Sequence, residues 1–379
     1  MLSRRAAALL LLLPLAAAPA RAQGTGFSRL SQRLSEPGGF FDSDNLVSNE
    51  TSYLHVIGAL RERGVHGGAY IGVGPEQGFS YIAEIDPEIA IIIDIRRDNL
   101  LLHLLFKAMF QEAHDRLEYL CLLYGRPFPA RRAPWDDAPL DSLVAYLDRT
   151  PLDSALHAAQ HAELMRRVDG FGLPLDAEDR ATVRRFHDEF STAGLDLHYS
   201  SLNRPSRRNY PTQRRLYLET DADHNQASYL ATERRWRVVR DLQRHHRVVP
   251  VVGNLAGPKA MAAIARYLRE RHWTVSAFYT SNVEQYLFQF GTFGAFAENV
   301  RALPADPSST IIRSWFIRGG GWQGVAPGHL SAQQLHPVAR FLEFTAPKDP
   351  FNPMIGYGSL LDDADDMRPA PAPVPQPTP

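Results

Sequence analysis

The sequence predicts an α/β fold: a doubly wound, mostly parallel sheet carrying a helical insertion. Three observations lead there. Residues 89–95 (IAIIIDI) and 247–253 (RVVPVVG) are apolar nearly throughout, as in strands covered on both faces. Segments of helical period separate such runs, so strand and helix alternate along most of the chain. Residues 125–213 break the alternation; they are rich in Arg, Asp, Pro and His and read as helices near 138–148, 152–168 and 177–190.

The ends come first. Arg4 and Arg5 precede an Ala/Leu stretch over residues 6–18, and Ala20-Arg21-Ala22 has the small-x-small form of a cleavage site. Residues 1–22 therefore read as a secretory signal peptide, leaving Gln23 as the mature N-terminus and a protein that is periplasmic or secreted. No other stretch is apolar enough to span a bilayer, so no stable membrane insertion is expected after cleavage. From Met367 onward proline recurs at nearly every second position, which denies both helix and ladder and predicts an extended, disordered tail over 367–379. Residues 23–366 form a single α/β domain with its insertion.

Along that domain, residues 48–63 place Tyr53, Leu54, Val56, Ile57 and Leu60 on one helical face, with Ser48 as N-cap. Residues 69–74 (AYIGVG) are a short strand ending in glycines, 77–84 a short helix, and 89–95 a second strand. Residues 99–124 are apolar nearly all round and predict one long buried helix. Residues 215–219 (RLYLE) read as a strand, 226–245 as a helix, 258–271 as a helix, and 274–279 and 309–317 as strands. One echo stands out: Asn49–Leu54 (NETSYL) recurs as Asn225–Leu230 (NQASYL), each opening a helix that leads to a strand and a glycine turn. A pseudo-symmetric pair and coincidence are both open.

Composition excludes some functions. Charged residues are 22% and the formal net charge is −1 with no basic run, so a nucleic-acid partner is not expected. The lone cysteine, Cys121, rules out an internal disulfide or a cysteine-rich metal site. His157 and His161 are four apart on a helix, but no third ligand has suitable spacing, so no metal is expected. A Gly-x-Ser-x-Gly elbow is missing, and Ser80 and Ser281 have no neighbouring base in sequence. Gly319-Gly-Gly-Trp322 reads as a wide turn or a hinge.

The chemistry concentrates in residues 69–98. A strand ends in Gly72-Val-Gly74-Pro75-Glu76, and Asp94 ends the next strand twenty residues after Gly74. Glycines allow close backbone approach to a ligand, and an acid there accepts hydrogen bonds from ribose hydroxyls. The other reading of Asp94 is a helix cap, or a partner for Arg96 or Arg97. Ligands of a doubly wound sheet sit at the carboxyl ends of its strands, which adds Asn49, Glu50, Gln77, Asn254, Tyr279, Ser281, Asn282 and Glu284. Tyr279 is a proton donor or acceptor, and Asn282 orients a carbonyl or amine. Helix capping for each asparagine, and a satisfied core role for Tyr279, are the alternatives.

The run AYIGVGPEQ resembles motif I of class I S-adenosylmethionine-dependent methyltransferases, acid-x-Gly-x-Gly-x-Gly. The longer pattern resembles a family of uncharacterised bacterial proteins with a methyltransferase-like Rossmann fold. It is carried by residues 46–54 (LVSNETSYL), 70–85 (YIGVGPEQGFSYIAEI), 94–111 (DIRRDNLLLHLLFKAMFQ), 248–260 (VVPVVGNLAGPKA) and 278–287 (FYTSNVEQYL). The resemblance implies S-adenosylmethionine held by Gly72, Gly74, Glu76, Gln77, Asp94, Asn49 and Glu50. It also implies methyl transfer, involving Tyr279, Asn282 and Asn254, to a small molecule or an envelope component. Tyr70 stands where the motif has its acid, and Glu76 where it has its third glycine. That places a carboxylate where the methionine end of the cofactor would lie. Three classes of function follow: a methyltransferase-like enzyme, a non-catalytic periplasmic protein binding a small molecule in the same crevice, and an interaction protein using its insertion and tail.

Overall fold

A computed structural model describes residues 25–131, 133–202, 210–316, 325–346 and 356–367. The expected signal peptide, the Gly319–Trp322 turn and all of the tail beyond Met367 lie outside the described residues.

The chain begins with α1 (Gly26–Leu34), unforeseen in the sequence and capped by Thr25, whose hydroxyl accepts from the Ser28 N–H at 3.2 Å. A long irregular segment leads to α2 (Ile57–Glu62), β1 (Ala69–Gly72), α3 (Gly78–Ile85) and β2 (Ile89–Asp94). Next come α4 (Arg97–Glu112), α5 (Arg116–Tyr124), α6 (Leu140–Arg149), α7 (Ser154–Gly170) and α8 (Ala177–Ala193). Then α9 (Gln213–Leu218), α10 (Glu233–Arg244), β3 (Val248–Val252), α11 (Ala260–Glu270) and β4 (Val275–Ser281) follow. The chain closes with α12 (Val283–Gln289), α13 (Phe293–Arg301), β5 (Thr310–Phe316), β6 (Ser331–Pro337), α14 (Val338–Phe344), α15 (Tyr357–Asp362) and β7 (Asp365–Met367).

The strands form one seven-stranded sheet in the order β3-β2-β1-β4-β5-β6-β7. The first five are mutually parallel, while β6 runs antiparallel to β5 and β7 antiparallel to β6. The fold is Rossmann-like, as the sequence predicts. β1 to β3 grow outward on one side, and the chain then returns to lay β4 on the other side of β1, so the topological switch point lies between β1 and β4. β1 and β2 are adjacent and parallel, pairing Ala69 with Ile89 and Gly72 with Ile92, which brings the glycine turn beside Asp94. α4 is buried continuously from Asn99 to Phe110 because it packs on β2 and β3 while α7, α8 and α10 cover it.

Several sequence expectations are corrected. Residues 215–218 are in helix α9, with Glu219 its C-cap, not in a strand; five residues of mixed polarity fit either period, and the Thr212 cap on Arg215 N–H decides for helix. The expected helix over 48–63 is regular only from Ile57, and Ser48 accepts from the Glu50 N–H in a turn instead of capping it. Both copies of the internal echo thus precede their helices, since α10 likewise starts at Glu233. The long helix over 99–124 is two helices, broken where Asp115 caps α5 by accepting from the Glu118 N–H. β6 (SAQQLHP) went unread because it carries no apolar run, yet it is buried. Met367, expected to start the tail, ends β7 opposite Gln333.

Candidate functional site

A cavity of about 270 Å³ opens at the carboxyl ends of β1, β2, β3 and β4. Asn45, Ser48, Asn49 and Glu50 enter it from the irregular segment before α2. Gly74 and Gln77 come from the turn after β1, and Asp94 and Arg96 from the end of β2. Asn254 follows β3, while Ser281 and Asn282 follow β4. Eight residues nominated from the sequence therefore share one cavity: Asn49, Glu50, Gly74, Gln77, Asp94, Asn254, Ser281 and Asn282. A larger open groove of about 660 Å³ runs past Asp115, Asp137, Glu233 and Arg237, away from the strand ends.

Asp94 is where the β1–β2 pairing demands, but its carboxylate is spanned by Arg96. Arg96 Nε donates to Oδ1 at 3.0 Å and Nη2 to Oδ2 at 2.8 Å, and the Arg96 N–H adds 2.9 Å to Oδ1. Arg96 Nη1 also donates to the carbonyls of Ser43 (2.8 Å) and Asp44 (2.5 Å), tying the cavity's outer segment to the sheet. Burial works against the Arg96 charge, yet the Asp94 carboxylate outweighs it and holds the guanidinium above its ordinary value. Arg97, the other partner considered, pairs instead with Asp179 on α8 through two 2.7 Å bonds.

Glu50 is the other acid of the cavity and, unlike the half-buried Asp94, is fully buried. Tyr279 donates to its Oε2 at 2.6 Å and Gln333 Nε2 at 3.2 Å; the hydroxyls of Ser281 and Ser314 also donate to it. Among the described residues no basic side chain lies within ion-pair distance of it. Tyr279 lies under the cavity, buried, with Gln77 Nε2 donating to its hydroxyl at 3.2 Å. Burial, and then the nearby Glu50, push the phenol well above its ordinary value, so Tyr279 is a donor at neutral pH. Gln77 Oε1, buried at the cavity wall, has no hydrogen-bond partner among the described residues.

The cavity gathers unusual backbone. Ser281 has φ +53° where β4 slips register against β5, Asn45 has φ +52°, and Gly74 has φ +81°. Left-handed backbone at non-glycine residues is uncommon and gathers at functional sites. The Gly74 carbonyl is pinned by His103 Nε2 at 2.9 Å, from inside α4. Asn254 closes its own loop, its Oδ1 accepting from the Ala256 N–H at 2.9 Å. Asn282 occupies the N-cap position of α12 but makes no side-chain capping bond. Glu284, also nominated, is buried behind the cavity, where Arg313 holds it with Nη2 at 3.0 Å and with Nε.

Of the seven residues the resemblance implies for the cofactor, Gly72 and Glu76 are not in the cavity wall. A Cβ at Gly72 would lie 2.4 Å from the Tyr70 hydroxyl, so this glycine makes room for a neighbouring side chain, not for a ligand. Glu76 is buried among tyrosines: Tyr229 donates to Oε2 at 2.5 Å, Tyr217 to Oε1 at 2.9 Å, and Gln213 Nε2 to Oε1. Burial raises its carboxyl to about 7 against the lowering effect of those hydroxyls. The feared clash of Glu76 with a cofactor tail is thus removed, and its partners, 137 or more residues away, were invisible to local pattern.

His157 and His161 meet His187 of α8. His187 Nε2 donates to the Leu122 carbonyl at 2.9 Å, so its Nδ1 accepts from His161 Nδ1 at 3.2 Å, and His157 Nε2 binds Asp188 Oδ1 at 2.8 Å. Among the described residues no group of three His, Cys, Asp or Glu is arranged to hold a metal. None of the described helices is long and apolar enough to cross a membrane.

A family model described as a domain of unknown function (DUF7790) matches residues 45–125 and 176–354. The matched segments hold β1 to β6 and every cavity residue except Phe40 and Phe41, while α6 and α7 fall in the unmatched gap. No curated protein matches the chain.

Proposed function

The chain belongs to the DUF7790 family, a domain of unknown function, and from that premise we propose that its crevice binds a small molecule of nucleoside type. The carrying observation is the convergence of four strand ends on one cavity at the switch point, the usual ligand position of a doubly wound sheet. With its export signal, the protein meets that ligand in the periplasm or outside the cell.

S-adenosylmethionine is the cofactor proposed. Bound, it would supply a methyl group on a sulfonium cation. The residues fit it: Gly74 leaves its turn open, and Asp94 keeps one acceptor position, on Oδ2, beyond the three Arg96 occupies, available to a ribose hydroxyl. Gln77 Oε1 offers a buried acceptor without a partner, which costs about 1–3 kcal/mol until a donor arrives. Asn49 and Glu50 line the opposite wall. Tyr279 donates a hydrogen bond to Glu50, and Asn254 and Asn282 face the cavity as polar groups for an acceptor substrate, a small molecule or envelope component.

One observation favours the second reading, a non-catalytic binding protein in the same compartment. Glu50, the buried acid of the cavity, already accepts from four donors of the protein itself, an arrangement that holds it in place. Calorimetric titration with S-adenosylmethionine and S-adenosylhomocysteine, on wild type and Asp94→Ala, tests the common core of both readings. Asp94→Ala should weaken binding by about 2–4 kcal/mol. No binding of either compound to wild type sinks the nucleoside reading. Release of S-adenosylhomocysteine on adding an envelope extract separates enzyme from binder.

A further inference from the structure

We propose that the cavity is a site for an onium cation, a methylated sulfonium or quaternary ammonium carrying charge without N–H donors. The inference rests on the small-molecule reading above and deepens it.

The argument starts from charge. Three described residues of the cavity wall are ionisable to full charge, Glu50, Asp94 and Arg96, and the last two neutralise each other through a bidentate pair. Glu50 remains as an uncompensated carboxylate, 1% exposed, in surroundings where a unit charge acts more strongly than in water. A carboxylate has about four acceptor positions. Tyr279, Ser314 and Gln333 donate to Oε2 and Ser281 to Oε1, which leaves one position, on Oε1. What remains is negative potential with most of its hydrogen-bonding capacity spent. A primary ammonium would find one open acceptor there for its three N–H donors, whereas an onium ion asks only for the charge.

The mouth adds a second, independent observation. Phe40 and Phe290 are 73% and 71% exposed, the two most exposed large apolar side chains described, and both border the cavity. Phe41 and Tyr286 stand edge to face beside them, ring centroids 5.4 Å apart. Aromatic faces attract cations, most strongly those lightly hydrated. An anionic floor beneath an aromatic mouth is the pairing that suits an onium ion, and it would give a neutral isostere no comparable gain.

Titration calorimetry on the full chain with two matched pairs tests this: S-adenosylmethionine against S-adenosylhomocysteine, and choline against 3,3-dimethylbutan-1-ol, its neutral carbon isostere. The cation of at least one pair should bind at least tenfold more tightly than its neutral partner. Choline preferred while neither adenosyl compound binds upholds the onium site and overturns the nucleoside reading. Both adenosyl compounds binding equally, with no preference in the choline pair, overturns the onium site and leaves the nucleoside reading standing. No binding of any of the four overturns both. Glu50→Gln should erase the preference. Because that change disturbs four buried donors, Tyr286→Leu and Phe290→Leu at the mouth provide a second arm. They should weaken the cation roughly threefold to tenfold while sparing the neutral partner, and equal weakening of both partners overturns the proposal.

Discussion

Replacing Gly72 by alanine tests what the glycines after β1 are for. The new Cβ would meet Tyr70 at three atoms, 2.4 Å from the hydroxyl and 2.6 and 2.7 Å from two ring carbons, well inside contact distance. Residues 70 and 72 project from the same face of β1, and Tyr70 is fully buried, so the ring has nowhere to retreat. Gly78 confines the hydroxyl from the other side, its own Cβ position being 3.1 Å away. Overpacking of this kind costs about 1–3 kcal/mol, and three short contacts put Gly72→Ala at the upper end, ~3 kcal/mol. For a domain of this size that lowers the thermal midpoint by roughly 4 °C. Tyr70→Phe should not rescue it, because the ring carbons remain; Tyr70→Val should recover part of the loss. Differential scanning calorimetry of the single and double variants measures all of this. A Gly72→Ala protein as stable as wild type, but unable to bind ligand, would refute the packing argument and return Gly72 to the cavity.

Three further outcomes rest on buried ionisable groups. Burial lowers His103 to about 4, below the ~6.5 of an unfolded histidine; its contribution is complete above pH 6.5 and is lost on acidification because the unfolded chain protonates first. Between pH 7 and pH 5 this amounts to about 2 kcal/mol, and His103→Gln, which keeps a donor for the Gly74 carbonyl, should flatten a urea-measured stability profile by that amount. Glu76, raised to about 7, works in the opposite sense, so Glu76→Gln should steepen the same profile. Arg313→Met leaves Glu284 buried and unpaired and should cost about 3–5 kcal/mol in urea unfolding, part of which Glu284→Leu restores.

What the sequence disclosed depended on whether the cause was local. The first five strands were legible because strands sealed on both faces must be apolar throughout, and the β1–β2 neighbourhood follows from a short connection. β6 obeys a different rule: its buried polar groups are admissible because partners from elsewhere satisfy them. Ser331 meets Ser52 at 2.8 Å, Gln333 meets Ser314, and His336 Nδ1 accepts from Arg313 at 3.0 Å. Nothing within seven residues announces that. The break before α5 was legible in principle, since Asp115-Arg-Leu-Glu118 is a helix-start pattern inside an otherwise apolar run. At the site, strand-end position alone found eight cavity residues. It misplaced Gly72 and Glu76 because side-chain direction and distant partners decide them, and it missed Arg96 as a cavity residue and the aromatic mouth.

The cavity's outer wall has a history imposed by chain order. α1 is among the first described elements from the N-terminus, yet it rests on β3, where Ser31 Oγ donates to the Pro250 carbonyl at 2.6 Å across 219 residues. Glu36 closes the same seam, its carboxylate accepting from the N–H groups of Asn254, Lys259 and Ala260. The segment that carries Phe40, Asn45 and Glu50 is threaded between that seam and the sheet. A nascent chain therefore cannot complete the cavity until some 220 further residues have emerged and β3 has formed. Assembly of the cavity is a late, long-range step. Any ligand then selects finished molecules over partly folded ones.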